Sequence, residues 1–165
     1  MARWVVETER TGMRELTADD RDSVALLDWL DTDRVLRRCG EQYRTLGHGL
    51  WALELKSDAR FVGLCGLIAQ EIEGVEELEV GYHILPDYRQ RGLASEAARG
   101  VMDYAFGPLG VDRVVSIILP DNAASIAVAL GNGLTFERSA RFRDLDVSIY
   151  VAQRPRAVVA GKQGT

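Results

Sequence analysis

The segment with the most chemical potential is Tyr88-Arg-Gln-Arg-Gly-Leu-Ala-Ser-Glu96, where an extended pattern ends and a helical one begins. The first turn of a helix presents unpaired N–H groups and about half a positive charge, so it attracts anions. Gly92 lets a phosphate reach the backbone with no Cβ in the way, and Arg89 and Arg91 add positive charge. The same residues equally suit a plain turn, with Gly92 easing the chain and both arginines solvated. Neither G-x-G-x-x-G nor GK[ST] occurs, so no established phosphate-loop spacing decides between the two.

Those residues need elements to hold them. Leu78, Val80, Tyr82 and Ile84 alternate with Glu79, Gly81 and His83, which predicts a strand ended by Pro86. Leu93, Ala97, Val101 and Tyr104 or Ala105 share one face of a helix predicted over 92–106. Val114 to Leu119 is a continuous apolar run, as expected of a strand covered on both faces and paired in parallel. Strand, helix and strand then form a βαβ unit. Upstream, Trp4 to Leu16 reads as an extended segment interrupted at Thr11-Gly12. Thr17 to Asp20 is a capping signal for a helix whose face is Val24, Leu27 and Leu30 and which ends near Asp31. A second helix is predicted over 33–45, followed by strands over 50–56 and 61–70. Downstream, Asp121 or Asn122 caps a short helix to about Leu130, and 135–141 with 146–152 read as a closing hairpin.

The chain has 165 residues, 47% hydrophobic and 27% charged, with a net charge of −5. One domain of this size buries about 70% of its unfolded surface without metal or disulfide staples, and two domains would be cramped. The fold is expected within 3–153, with 154–165 as a flexible C-terminal tail. An acidic balance argues against a nucleic-acid or anionic-membrane partner, though a local arginine cluster can still hold a small anion. Cys39 and Cys65 lie far apart and near neither His48 nor His83, so no zinc spacing exists, no metal is expected and both thiols are expected reduced. The first residues carry no apolar stretch of signal-peptide length, and no run approaches the ~20 residues that span a bilayer, so the expected location is cytoplasmic.

Arg89-Gln-Arg-Gly-Leu-Ala94 resembles the Q/R-x-x-G-x-G/A pyrophosphate loop of the GNAT superfamily of N-acetyltransferases. Leu78-Glu-Val-Gly-Tyr82 is similar to the strand that precedes this loop in the RimJ/RimL-like branch. Pro120-Asp-Asn-Ala-Ala-Ser125 and Ala129-Leu-Gly-Asn-Gly133 resemble that branch's next helix and its end, and Glu7-Thr-Glu-Arg10 with Arg14-Glu-Leu16 its first strand. The likeness spans about 7–152. It implies an α+β fold with a mixed, mostly antiparallel sheet, a central parallel βαβ unit and flanking helices. It also implies transfer of acetyl from acetyl-CoA to a primary amine, a protein N-terminal amine first and a small-molecule amine second. A non-catalytic acyl-CoA-binding module is the reading from another class.

On that resemblance, a bulge near Gly81 splays the strand from its parallel neighbour and the gap admits the pantetheine arm. Backbone groups of Tyr82, His83 and Ile84 then bond the pantetheine amides and polarise the thioester. Arg89, Arg91, Gly92, Leu93, Ala94 and Ser95 surround the pyrophosphate, with Asn122 beside the cofactor or serving only as a helix cap. Glu79 is the candidate base, against the alternative of an exposed strand carboxylate, and Ser125 can bond the departing thiolate or cap its helix. Two departures from the family stand out: Ala129 occupies the place of a frequent proton-donating tyrosine, and apolar Ile117 that of an acidic residue. The link between the first two helices, Asp31-Thr-Asp33, is also short, which opens the acceptor side. His83 reads as structural rather than as a relay, and His48 as a solvated loop residue rather than an acceptor contact. Trp29 and Trp51 read as core or cleft walls, and Glu71, Glu73, Glu76 and Glu77 as a solvated run or a lure for a cationic amine.

Overall fold

The computed structural model describes residues 3–156. Its strands are β1 (Val6–Glu7), β2 (Thr11–Arg14), β3 (Leu50–Leu55), β4 (Phe61–Ile72), β5 (Val75–Ile84), β6 (Arg113–Ile118), β7 (Thr135–Phe142) and β8 (Leu145–Gln153). The α-helices are α1 (Arg21–Ala25), α2 (Thr32–Leu46), α3 (Leu93–Phe106) and α4 (Ala123–Gly131). All the strands join one sheet in the order β1-β2-β3-β4-β5-β6-β8-β7. Its pairs are antiparallel except β5 with β6, which are joined by α3. This is the mixed α+β architecture expected.

Alternation along the strands builds the two faces. Trp51, Leu53, Cys65 and Leu67 pack with Ala97 and Val101 of α3. The intervening Leu50, Ala52, Leu64 and Ile68 pack with Val24, Leu27 and Cys39 beneath α1 and α2. Both faces of β3 and β4 are covered, which is why their sequences read as apolar runs rather than as a half-polar alternation. Each fully buried Leu or Val contributes ~1.5–3 kcal/mol.

The front of the chain departs from expectation. The extended segment is a hairpin, with Val6 opposite Met13 and Glu7 opposite Gly12. Thr8 closes the turn through its N–H to the Thr11 carbonyl at 2.8 Å. Gly12 leaves room for the Trp4 ring, since a Cβ there would lie 2.2 Å from it. The helix expected to reach Asp31 stops at Ala25. Thr17 and Asp20 do form a capping box, but around a 3-10 turn, and the Asp20 carboxylate also binds Arg14 at 2.8 Å. Asp31 then takes an extended backbone and its side chain caps α2 by accepting the Arg34 N–H at 3.0 Å. Val24 and Leu27 still reach the core, by a turn instead of a longer helix.

The remaining elements fall within a few residues of their expected bounds. Strand β5 is the longest departure, starting at Val75 because Glu73 and Gly74, both at positive φ, make a tight turn from β4. Of the C-terminal stretch, Arg154 donates its N–H to the Asp112 carbonyl at 2.8 Å, while 157–165 lie outside the described residues.

The expected bulge at Gly81 is absent from the β4–β5 ladder, which runs unbroken from Gly63–Ile84 to Ile72–Val75. The expected splay from the parallel neighbour is present, since β5 meets β6 only at Glu79 and Val115. Strands β3 and β4 come so close at Gly66 that a Cβ there would sit 2.1 Å from the Gly49 carbonyl oxygen. Gly66→Ala is therefore expected to lower stability by ~1–3 kcal/mol, measured by denaturant unfolding, with no change at the exposed Gly40→Ala control beyond its helix-propensity gain.

Candidate functional site

Beyond Glu79, β5 has no ladder partner on its β6 side, and the Ser116 hydroxyl only approaches the Val80 carbonyl, at 3.5 Å. A cavity of about 630 Å³ lies along this opening. Tyr82, His83 and Ile84 of β5 line it, with Arg89, Gly92, Leu93, Ala94 and Ser95 from the start of α3 and Asn122 and Ser125 from the start of α4. The structure thus brings together nearly all the residues singled out for cofactor contact.

Local chemistry explains the shape of its anionic end. Gln90 (φ 60) and Gly92 (φ 76) both take left-handed backbone, turning the chain sharply into α3. Gly92 is the N-cap and, having no side chain, caps nothing, so the first-turn N–H groups stay open along the cavity wall. The arginines divide. Arg89 lines the cavity, donates from Nε to the Ile84 carbonyl at 3.0 Å and lies over the Trp29 ring. Arg91 does not line it and stacks on Tyr88, 5.2 Å from the ring centre. At the start of α4 the Asn122 side chain accepts the Ser125 N–H at 3.1 Å, so Asn122 is the helix cap, and the Ser125 carbonyl accepts from the Tyr82 hydroxyl at 3.4 Å.

Glu79 stands in a second cavity, of about 550 Å³, on the side of α2 and the β7–β8 turn. Trp29 and His83 line both cavities, so the two adjoin across β5. Glu79 Oε2 accepts from Gln70 Nε2 at 2.8 Å, and Gln70 Oε1 accepts from Arg38 Nη2 at 3.1 Å. Burial pushes the Glu79 carboxyl up to about 7, against the Gln70 hydrogen bond and the charges of Arg143 and Arg38, which lower it. Burial lowers the His83 pKa and so favours its neutral form, and raises the Tyr82 phenol, which keeps its proton.

Two positioning residues escaped sequence reasoning. Arg10 holds Glu96 of α3 through Nε at 2.7 Å and the Arg91 carbonyl through Nη1 at 2.9 Å, clamping the turn that opens α3. Gln70 orients Glu79 from the neighbouring strand. A signal existed only for Gln70, a polar residue two positions beyond Ile68 in an apolar strand; the Arg10–Glu96 pair lies 86 residues apart.

Other candidates have structural places. His48 lines neither cavity; its Nδ1 lies 3.3 Å from the Leu67 carbonyl, tying the loop to β4. Glu73 pairs with Arg138 at 3.1 Å and Glu77 with Arg113 at 3.0 Å, so half of the acidic run braces the far end of the sheet. Trp51 is fully buried, whereas Trp29 is a cleft wall. Both cysteines are free and buried, with burial pushing Cys65 up to about 12 and raising Cys39, so neither offers a thiolate at neutral pH. Ala129 is buried in the core, and Ile117 presents an apolar surface to the Glu79 cavity. Among the described residues no helix is long and apolar enough to cross a membrane.

The sheet opens beside a single parallel bridge, with an uncapped helix N-terminus along the opening and a carboxyl of raised pKa on the far side of the strand, so an anion-accepting turn and a group able to take a proton flank one strand. A family model described as acetyltransferase (GNAT) domain matches residues 10–135, and the chain belongs to that family of N-acetyltransferases, in its RimJ/RimL-like branch. It is 34% identical to YkkB of Bacillus subtilis over 104 residues, a stretch covering 63% of this chain and 60% of that protein. It is 25% identical to YoaA of the same organism, called an uncharacterized N-acetyltransferase, over 92% of this chain and 98% of the other. A solved acetyltransferase from Agrobacterium tumefaciens superposes with a TM-score of 0.77 at 26% identity, covering 93% of this chain and 96% of that one.

A carboxyl with a folded-state pKa near 7 and an ordinary value of 4.5 holds an extra proton in the folded protein between those pH values. Stability therefore falls as pH rises through that window and stays reduced above it. Glu79→Gln is expected to raise Tm at pH 8 by several degrees, taking ~2–4 °C per kcal/mol for a domain of this size, and to change it little at pH 4.

Proposed function

We propose that the 630 Å³ cavity holds acetyl-CoA and that the 550 Å³ cavity admits an α-amine, a protein N-terminus foremost, whose proton passes to Glu79. The observation that carries this reading is the position of Glu79 on the one strand both cavities share, with its carboxyl near 7. Acetyl-CoA supplies an activated acetyl thioester. The open N–H groups of Leu93, Ala94 and Ser95 receive its pyrophosphate, and the unpaired backbone of β5 bonds its amide arm. Because the Ile84 carbonyl is taken by Arg89 and the His83 backbone faces β4, Tyr82 and the Ile84 N–H supply most of that backbone.

The amine nitrogen attacks the acetyl carbonyl; a C–N bond forms, the C–S bond breaks, and Glu79 accepts the amine's proton. Ser125, in the cofactor cavity, donates to the departing thiolate in place of the tyrosine that Ala129 replaces. A base near 7 suits an α-amine, whose pKa is about 7.7–8.0, far better than an alkyl amine near 10.4. The broad second cavity, walled by Trp29 and the start of α2, also suits the first residues of a peptide. The motif likeness to ribosomal-protein N-acetyltransferases points the same way, and a cytoplasmic location fits that acceptor. Small-molecule amines are the second reading, separated by comparing CoA release with N-terminal peptides and with alkyl amines.

Two outcomes are expected. In calorimetric titration, acetyl-CoA binds the wild type and Gly92→Glu loses that binding, because the new side chain puts a negative charge where the pyrophosphate sits. In pH–rate profiles, kcat rises as Glu79 loses its proton through about pH 7, and Glu79→Gln removes that limb and lowers kcat by ~100-fold with acetyl-CoA affinity retained. Binding without turnover of any amine would instead mark a non-catalytic acyl-CoA module.

A further inference from the structure

The Glu79 cavity carries more positive charge than the transfer of acetyl to an amine requires. Arg34 and Arg38 of α2 and Arg143 of the β7–β8 turn all line it. Elsewhere Arg14, Arg113 and Arg138 are matched to carboxylates, but among the described residues these three have no ion-pair partner. Arg38 is part-buried, and only its Nη2 finds protein acceptors, the Ala69 carbonyl at 2.9 Å and Gln70 Oε1. Desolvation, with the charges of Arg143 and Arg34, disfavours its charged form, so Arg38 is repelled by both of its guanidinium neighbours. The acidic side chains on the same walls are Asp31, engaged as the cap of α2, and Glu79, held by Gln70.

We infer that the acceptor bears a carboxylate or comparable acidic group close to the amine that is acetylated, held by Arg38, Arg143 and Arg34, an inference that rests on reading this cavity as the amine site. The spacing follows from the side-chain chain Arg38–Gln70–Glu79: one amide separates the guanidinium from the base. An amine at Glu79 places an anion one or two residues away in reach of Arg38, and Arg143 lies close enough to both to affect each electrostatically. Guanidinium groups with free N–H pairs bind carboxylates by charge-assisted hydrogen bonds, strongest where water is thin. The anion comes either from an acidic side chain near a peptide N-terminus or from the carboxylate of a free amino acid.

The test measures kcat/KM with peptides carrying Asp or Glu in their first three positions, the same peptides with Asn or Gln, and with Lys, alongside free glutamate and its amides. The expected result is a preference of about tenfold or more for the acidic member of each set, weakening as salt rises. The peptide and amino-acid arms tell the two sources apart. In Arg143→Glu the order inverts toward the Lys peptides, a change that mere loss of structure would not produce, and acetyl-CoA titration reports the intact fold. Equal or better turnover of the amide or Lys members, or an unchanged order in the variant, overturns the inference while leaving the amine site standing. No turnover in any arm with acetyl-CoA bound overturns the amine site itself, and this inference with it.

Discussion

Everything at the centre of this molecule follows from one β-bridge. Strands β5 and β6 are linked in parallel at Glu79 and Val115 and then part. Unpaired backbone in a protein interior is costly, so a sheet rarely opens without something to satisfy it. Here β5 keeps a complete ladder with β4 on its other edge, which lets it stay straight while its β6 edge is freed. The same event opens the 630 Å³ cavity, exposes polar backbone along it and leaves the starts of α3 and α4 on its walls. Glu79 sits at the last paired residue, where the strand is still rigid.

Rigidity at that point is supplied from afar. The N-terminal hairpin reaches across to α3, and Arg10 grips both Glu96 and the carbonyl of Arg91. Glu96 is thereby ionised: burial alone would raise its pKa, but the donors from Thr8 and Arg10 hold it below the usual carboxylate range. A charged pair at the first turn of α3 fixes where its open N–H groups point. A second knot lies beneath the hairpin, where buried Glu54 accepts from Trp4, Arg3 and Arg14, and Arg14 also holds Asp20. These contacts tie the chain's front to the middle of the sheet, so the short hairpin and the short α1 act as braces rather than as independent elements.

Two glutamates, Glu96 and Glu79, show how environment divides a residue type. Glu96, ringed by donors, is kept ionised and structural, whereas Glu79, half-buried with a single amide donor, holds its proton to near neutrality. The arginines divide likewise. Those at the sheet's far end are neutralised by the acidic run, while among the described residues those around Glu79 have no carboxylate partner. The acidic net charge of the chain thus conceals one locally basic cavity.

Much of this was readable in advance. Period-2 and period-3.6 patterns located the strands and the longer helices because burial on one face repeats at short sequence intervals, and Gly92 with its flanking arginines marked the turn that opens α3. The glycine, the cap at Asn122 and the βαβ unit are decided by conformations that a few adjacent residues dictate. The partings were not readable. Whether Trp4 to Leu16 forms one strand or a hairpin, where β5 leaves β6, and which arginines find carboxylates depend on partners tens of residues away, as with Arg10 and Glu96 or Arg38 and Gln70. Sequence alone therefore determined the elements and the loop that leads into α3, since local sterics and burial set them. Only the tertiary structure decided the charge state of Glu79 and the unpaired guanidinium groups around it, because desolvation and Coulomb interaction depend on distance in space and not along the chain.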